Sequence, residues 1–200
     1  YIALEGIEGA GKSTVAAQLA EALRSAGHDV RLVREPGGTS PGELIRSVLL
    51  DAREENQDLA PWTEALLFAA SRAQLVRDVV RPALDKGEIV ISDRSVYSSL
   101  AYQGGGRGLG VEEVRGVNSP GLEGTWPTLV VLLQIDPSAG LSRQEIPDRI
   151  GAEGVEFQAA VAATFAAMAE ALPERFLTVD AAADLDDVVG QIVREIERRW

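Results

Sequence analysis

Residues 6–13 read Gly-Ile-Glu-Gly-Ala-Gly-Lys-Ser, which satisfies G-x-x-x-x-G-K-[ST] at every fixed position. The surroundings fit as well. The apolar run Ile2-Ala3-Leu4 leads in, and a helical pattern with Val15, Ala16, Leu19, Ala20 and Leu23 leads out to Gly27. Such a loop lets successive backbone N–H groups converge on phosphate oxygens, and the following helix N-terminus adds its partial positive charge. The spacing predicts a triphosphate cradle at Gly6, Gly9, Ala10 and Gly11. Lys12 is expected to bridge the β- and γ-phosphates, Ser13 to complete a Mg²⁺ shell, and Thr14 to reach the α-phosphate. A dinucleotide-binding turn is disfavoured, because its G-x-G-x-x-G spacing is absent.

The rest of the chain keeps the same alternation. Residues 30–33, 88–92, 128–135 and 175–179 read as short strands, with helical stretches at about 12–25, 42–50, 62–86, 155–172 and 185–199. Crossovers this long predict a parallel sheet with helices on both faces, in a single α/β domain spanning 1–200. The glycine-rich stretch 104–110 is too short to separate domains and is expected to be a mobile surface loop.

Composition narrows the partners. The absence of cysteine excludes disulfides and thiolate metal sites. The single histidine, His28, lies in a turn and is expected to be solvated. No run approaches the roughly 18 apolar residues of a membrane helix, so a cytoplasmic protein that engages no membrane is expected. The formal net charge of −12 argues against binding nucleic acid. An acidic chain that binds polyphosphate must concentrate cations locally, and only two lysines exist, Lys12 and Lys86.

The loop alone does not identify an acceptor. A GTPase would carry Asn-Lys-x-Asp after a later strand, and residues 128–137 hold none. Instead the third strand ends in Asp93-Arg94, at the carboxyl edge where open α/β sheets bind ligands. Asp93 would organise Mg²⁺, and Arg94 would clamp an acceptor phosphate. A simple strand-terminal salt bridge is the alternative.

Five further blocks follow the loop in order: Arg34-Glu35-Pro36-Gly37-Gly38-Thr39, Leu67-Phe68-Ala69-Ala70-Ser71-Arg72, Asp93-Arg94, Ser98-Ser99-Leu100-Ala101-Tyr102-Gln103-Gly104 and Asp148-Arg149. In order and spacing, and over essentially the whole chain, these resemble thymidylate kinases, with the bacterial form the closer match. Gly9 stands where eukaryotic-type members carry an arginine. The resemblance implies a three-layer fold with five strands in the order 2-3-1-4-5, transfer of the γ-phosphate of ATP to dTMP with Mg²⁺, and a homodimer formed through helices near 42–50 and 62–86.

It also implies residue roles. Phe68 would stack on thymine, and Arg72 would read its O4 edge. Ser99, with Gln103 a further candidate, would meet the N3 edge, and Tyr102 would wall off a 2′-hydroxyl. Arg34 and Arg94 would grip the acceptor phosphate. Glu8 would lie near the 3′-hydroxyl or the metal. Arg143 and Arg149 bracket a short lid, 142–154, whose arginines would stabilise the transferring phosphoryl group. Core packing for Phe68 and a surface pair for Arg72 are the plainer readings from spacing alone. The chain departs from the pattern at Ser95, at Gly151 and in a lid poor in arginine. A kinase for another nucleoside monophosphate, a kinase for a non-nucleotide acceptor, and a noncatalytic ATP-binding module therefore stay open.

Overall fold

The computed structural model describes residues 1–50, 59–143 and 148–200. Strand β1 (Ile2–Glu5) is wholly buried and sits mid-sheet between β3 (Ile89–Asp93) and β4 (Leu129–Gln134). With β2 (Val30–Arg34) and β5 (Phe176–Asp180) at the edges, all pairs are parallel and the order is β2-β3-β1-β4-β5, as expected. Register then fixes the site. Asp93 lies opposite both Leu4 and Arg34, so the phosphate loop, Asp93 and Arg34 leave the sheet along one carboxyl edge.

Both faces of the sheet's centre are covered, which is why β1 and β4 read as nearly unbroken apolar runs, whereas edge strand β2 (Val-Arg-Leu-Val-Arg) is mostly exposed. In β4, Leu129, Val131 and Leu133 join the core under α1 (Lys12–Ser25) and α9 (Leu185–Arg199). Val130 and Leu132 join the opposite core, under α6 (Val111–Leu122) and α8 (Val155–Ala171). Helix α9 shows the usual division of faces: Val188, Val189, Ile192 and Ile196 turn inward and the charged residues outward.

Helix α2 (Ser40–Leu50) packs on α3 (Pro61–Leu75) beside the sheet. The single helix expected over 62–86 is instead α3, a π-helical turn at Val76–Val80, and α4 (Arg81–Asp85). Pro82 accounts for the break, since it has no N–H to donate back into the preceding turn.

The expectation of a mobile loop at 104–110 is overturned for its first half. After the short helix α5 (Val96–Ser99), residues Leu100–Gly106 form a second π-helical segment. The glycines there serve contact. A Cβ on Gly105 would run into Thr164 of α8, and one on Gly106 would meet Phe157 at 2.6 Å. His28 is exposed, as read from its turn.

Candidate functional site

Helix α1 begins at Gly11, whose left-handed backbone (φ 84°) carries no side-chain cap. Its first N–H groups are therefore left for a ligand. Gly9 also has positive φ (73°), and a side chain there would strike the backbone of Gly140 in α7 (Pro137–Ser142). The loop thus lies directly on that short helix. Lys12 is buried, and its Nζ donates to the carbonyls of Gly6 (3.1 Å) and Ile7 (2.7 Å). Burial, then repulsion from Arg94, lowers its pKa to about 8.

Beside the loop opens a cavity of about 380 Å³. Glu8, Gly9, Gly11, Lys12, Ser13 and Thr14 line it from the loop, and Asp93 and Arg94 from the end of β3. All seven residues expected to hold an acceptor, Arg34, Phe68, Arg72, Arg94, Ser99, Tyr102 and Gln103, line the same cavity. Gly6 and Ala10, also expected in the cradle, do not line this cavity.

Arg94 has a backbone φ of 71°, unfavourable for a residue with a Cβ. Its N–H donates to the Leu4 carbonyl and its own carbonyl accepts from Ser92, which hold it there. Its guanidinium pairs with Glu8 and lies 5.0 Å from the centroid of the Tyr102 ring. The Tyr102 hydroxyl donates to Glu8 Oε1 at 3.2 Å. Burial alone would push the Glu8 pKa up, but Arg94 and Lys12 outweigh it and bring it down to about 2. Behind this group Glu5 is fully buried and accepts from Ser95 Oγ, Ser98 N–H and Ser98 Oγ. Burial raises its pKa to about 7.

On α3, Phe68 and Arg72 stand one turn apart, as spacing predicts. Arg72 is buried, not the surface pair of the plainer reading. Nε donates to Glu35 (2.7 Å), one terminal nitrogen to Asn118, and the other to the Ser95 carbonyl (3.1 Å). Three of its five N–H donors are so committed, which fixes the plane of the fork and leaves two for a ligand. The Ser99 hydroxyl is buried and finds no hydrogen-bond partner among the described residues. Gln103 Nε2 is taken by Glu64 (2.9 Å), and exposed Arg34 pairs with Glu43 at the mouth.

Ser13 Oγ donates to Asp93 Oδ2 at 2.5 Å, so the two residues expected to serve a metal are adjacent. Among the described residues no cluster of three acidic, histidine or cysteine side chains could hold a metal ion. This donor set fits Mg²⁺, which keeps most of its waters and takes phosphate oxygens with one or two protein groups.

The expected lid, 142–154, is described on either side of a gap. Residues 144–147 lie outside those described. Arg143 is exposed, with a terminal nitrogen 3.4 Å from the Gly9 carbonyl, near the loop but not lining the cavity. Arg149 is buried against Glu64 (2.7 Å) and the Leu49 carbonyl (2.9 Å), and it does not line the cavity. The fully buried Glu64 carboxylate draws it there, since a buried charge must be paired. Sequence reasoning missed Glu35, Arg46, Asp148 and Ile150 in the cavity wall. Glu35 and Asp148 stood in the quoted blocks, but nothing in their spacing marks them as wall residues.

A phosphate loop opening into a nucleotide-sized cavity at the switch point of this sheet defines a P-loop kinase of the nucleoside-monophosphate type. The family model described as thymidylate kinase matches residues 4–192. A thymidylate kinase of Deinococcus radiodurans is 46% identical over 100% of this chain and 97% of its own length. One from Lactobacillus helveticus is 42% identical over 100% and 96%. The crystal structure of the Ehrlichia chaffeensis thymidylate kinase superposes with a TM-score of 0.80, at 28% identity, covering 98% of this chain and 97% of that one. The chain belongs to the thymidylate kinase family.

Proposed function

We propose that this chain transfers the γ-phosphate of ATP to dTMP, giving ADP and dTDP, with one domain carrying both sites. The observation that carries the reading is the meeting of all seven acceptor candidates with the phosphate loop in one cavity. An oxygen of the dTMP phosphate attacks the γ-phosphorus, and the bond from that phosphorus to the β–γ bridging oxygen breaks. The nucleophile is already ionised at neutral pH, so no general base is required, and catalysis is alignment and charge neutralisation.

Lys12 exchanges its two loop carbonyls for phosphate oxygens when ATP binds. Arg94 and Arg34 grip the acceptor phosphate, with Glu8 keeping Arg94 oriented until it arrives. Phe68 covers the base, Arg72 donates to O4 with its remaining N–H groups, and unpartnered Ser99 meets N3. Tyr102, held between Arg94 and the rings of Phe157 and Phe165, occupies the 2′ side of the sugar. Arg143 approaches the loop from α7. Ser13 and Asp93 would hold Mg²⁺, which would supply charge neutralisation at the phosphates. Among the described residues no helix is long and apolar enough to cross a membrane, and a cytoplasmic enzyme fits its substrates.

We also propose a homodimer. Leu44 and Val48 on α2 are 73% and 41% exposed, and Trp62 and Leu66 on α3 are 42% and 54% exposed. Each pair is spaced by four residues on packed helices, an apolar surface suited to a second copy.

The deciding experiment is ADP release with ATP and Mg²⁺ against dTMP, dUMP, UMP, dCMP, dAMP and dGMP. Turnover highest with dTMP is expected. Preference for another acceptor would overturn the pocket assignments, and silence with all six from protein that binds ATP would leave a noncatalytic module.

A further inference from the structure

Glu64 on α3 has no exposed surface and does not line the cavity, yet its carboxylate is the most heavily bonded in the described structure. Oε1 accepts from Gln103 Nε2 (2.9 Å) and Arg107 Nε (3.2 Å). Oε2 accepts from Arg107 (3.1 Å) and Arg149 (2.7 Å). Arg107 reaches on to Glu153 at 2.5 Å and lies over the Phe157 ring. Two carboxylates therefore balance two guanidiniums, and the cluster is electrically closed.

The groups so tied are neighbours of the cavity wall in every direction. Phe68 follows Glu64 by one helical turn. Gln103 is itself a wall residue and adjoins Tyr102. Arg149 stands between Asp148 and Ile150, which both line the cavity, and its second bond goes to Leu49, next to wall residue Leu50. Four chain segments that contribute to the cavity wall are thus tied to one buried carboxylate. A carboxylate with fewer partners would leave charge uncompensated in a dry site, so this bonding is also what makes burial tolerable.

We infer that Glu64 is a positioning residue for the acceptor nucleotide: by holding Gln103, Arg107 and Arg149 it sets the wall around the base, and Arg149 serves that wall rather than the transferring phosphoryl group. This rests on the dTMP reading above. It differs from a stability role in what it does to acceptor binding.

The test uses the full chain as wild type, Glu64→Gln, Arg149→Gln and the double variant. dTMP affinity is measured by titration calorimetry without ATP, alongside KM for each substrate, kcat and the thermal midpoint. Each single variant is expected to weaken dTMP binding and raise its KM about tenfold, the scale of one lost charged hydrogen bond. KM for ATP should stay within about twofold, and the double variant should be no worse than the poorer single one, because both remove the same tie. If Glu64→Gln does not fold, Arg149→Gln carries the same expectation alone. Unchanged dTMP affinity in a folded variant, whatever its thermal midpoint, would overturn the inference. So would a kcat loss of about a hundredfold or more in Arg149→Gln at normal dTMP affinity, the mark of a phosphoryl ligand. Wild type that binds dTMP without turning it over removes the proposed reaction and leaves the affinity comparison to decide this point. Wild type that does not bind dTMP overturns both.

Discussion

At the scale of single residues, Lys12 sets the enzyme's dependence on pH. Its ammonium is buried among carbonyls with Arg94 nearby, and its pKa falls to about 8 in the free protein. The charged form is the one that attracts phosphate, so affinity for ATP is retained below that value and lost above it. kcat/KM for ATP, which reports the free enzyme, should fall about tenfold per pH unit above roughly pH 8. kcat at saturating ATP should hold to higher pH, because bound phosphates favour the ammonium. A kcat/KM profile flat to pH 10 would remove Lys12 from the binding step. Glu5 is shifted the other way, upward, yet its contribution is also lost as pH rises. Its raised pKa means its burial is best tolerated below about pH 4.5, and that contribution is lost as pH rises through about 7.

At the scale of elements, glycines play two different parts, and substitutions should separate them. Gly105 in the π-helical segment meets Thr164 of α8, whereas Gly116 in α6 has nothing within 4 Å of its missing Cβ. Gly105→Ala is expected to cost about 1–3 kcal/mol by overpacking, and Gly116→Ala to add up to about 1 kcal/mol by helix propensity. Denaturant titration measures both, and a neutral Gly105→Ala would mean that this contact is loose. The same contrast explains what the sequence could convey. Runs such as Leu-Val-Val-Leu-Leu in β4 announce a strand locally, and the phosphate loop carries its own spacing. The stretch Leu100–Gly106 does not, because its glycines are demanded by α8, some fifty residues further on. Helix α6 was hidden by Gly116, Pro120 and Gly121, which weaken any helical pattern. In the site, Phe68, Arg72 and Tyr102 were legible through family resemblance. Burial of Arg149 on Glu64 was not, since no spacing encodes a pairing across 85 residues.

At the scale of the molecule, the apolar surface on α2 and α3 stands out on a chain with a net charge of −12. Size-exclusion chromatography with light scattering should return twice the chain mass of 21.3 kDa, and Leu66→Asp should return the monomer mass. A monomeric wild type would remove the dimer. The central place of β1 has a consequence for biosynthesis as well. Ile2 pairs with Ile91 on one side and Leu129 on the other, so β1 has no sheet neighbour until much of the chain exists. At roughly 5–20 residues per second, a ribosome needs on the order of ten seconds to supply both. Through that interval a largely apolar segment and the loop it carries wait unpaired on the nascent chain, a natural target for chaperones that shield exposed strands.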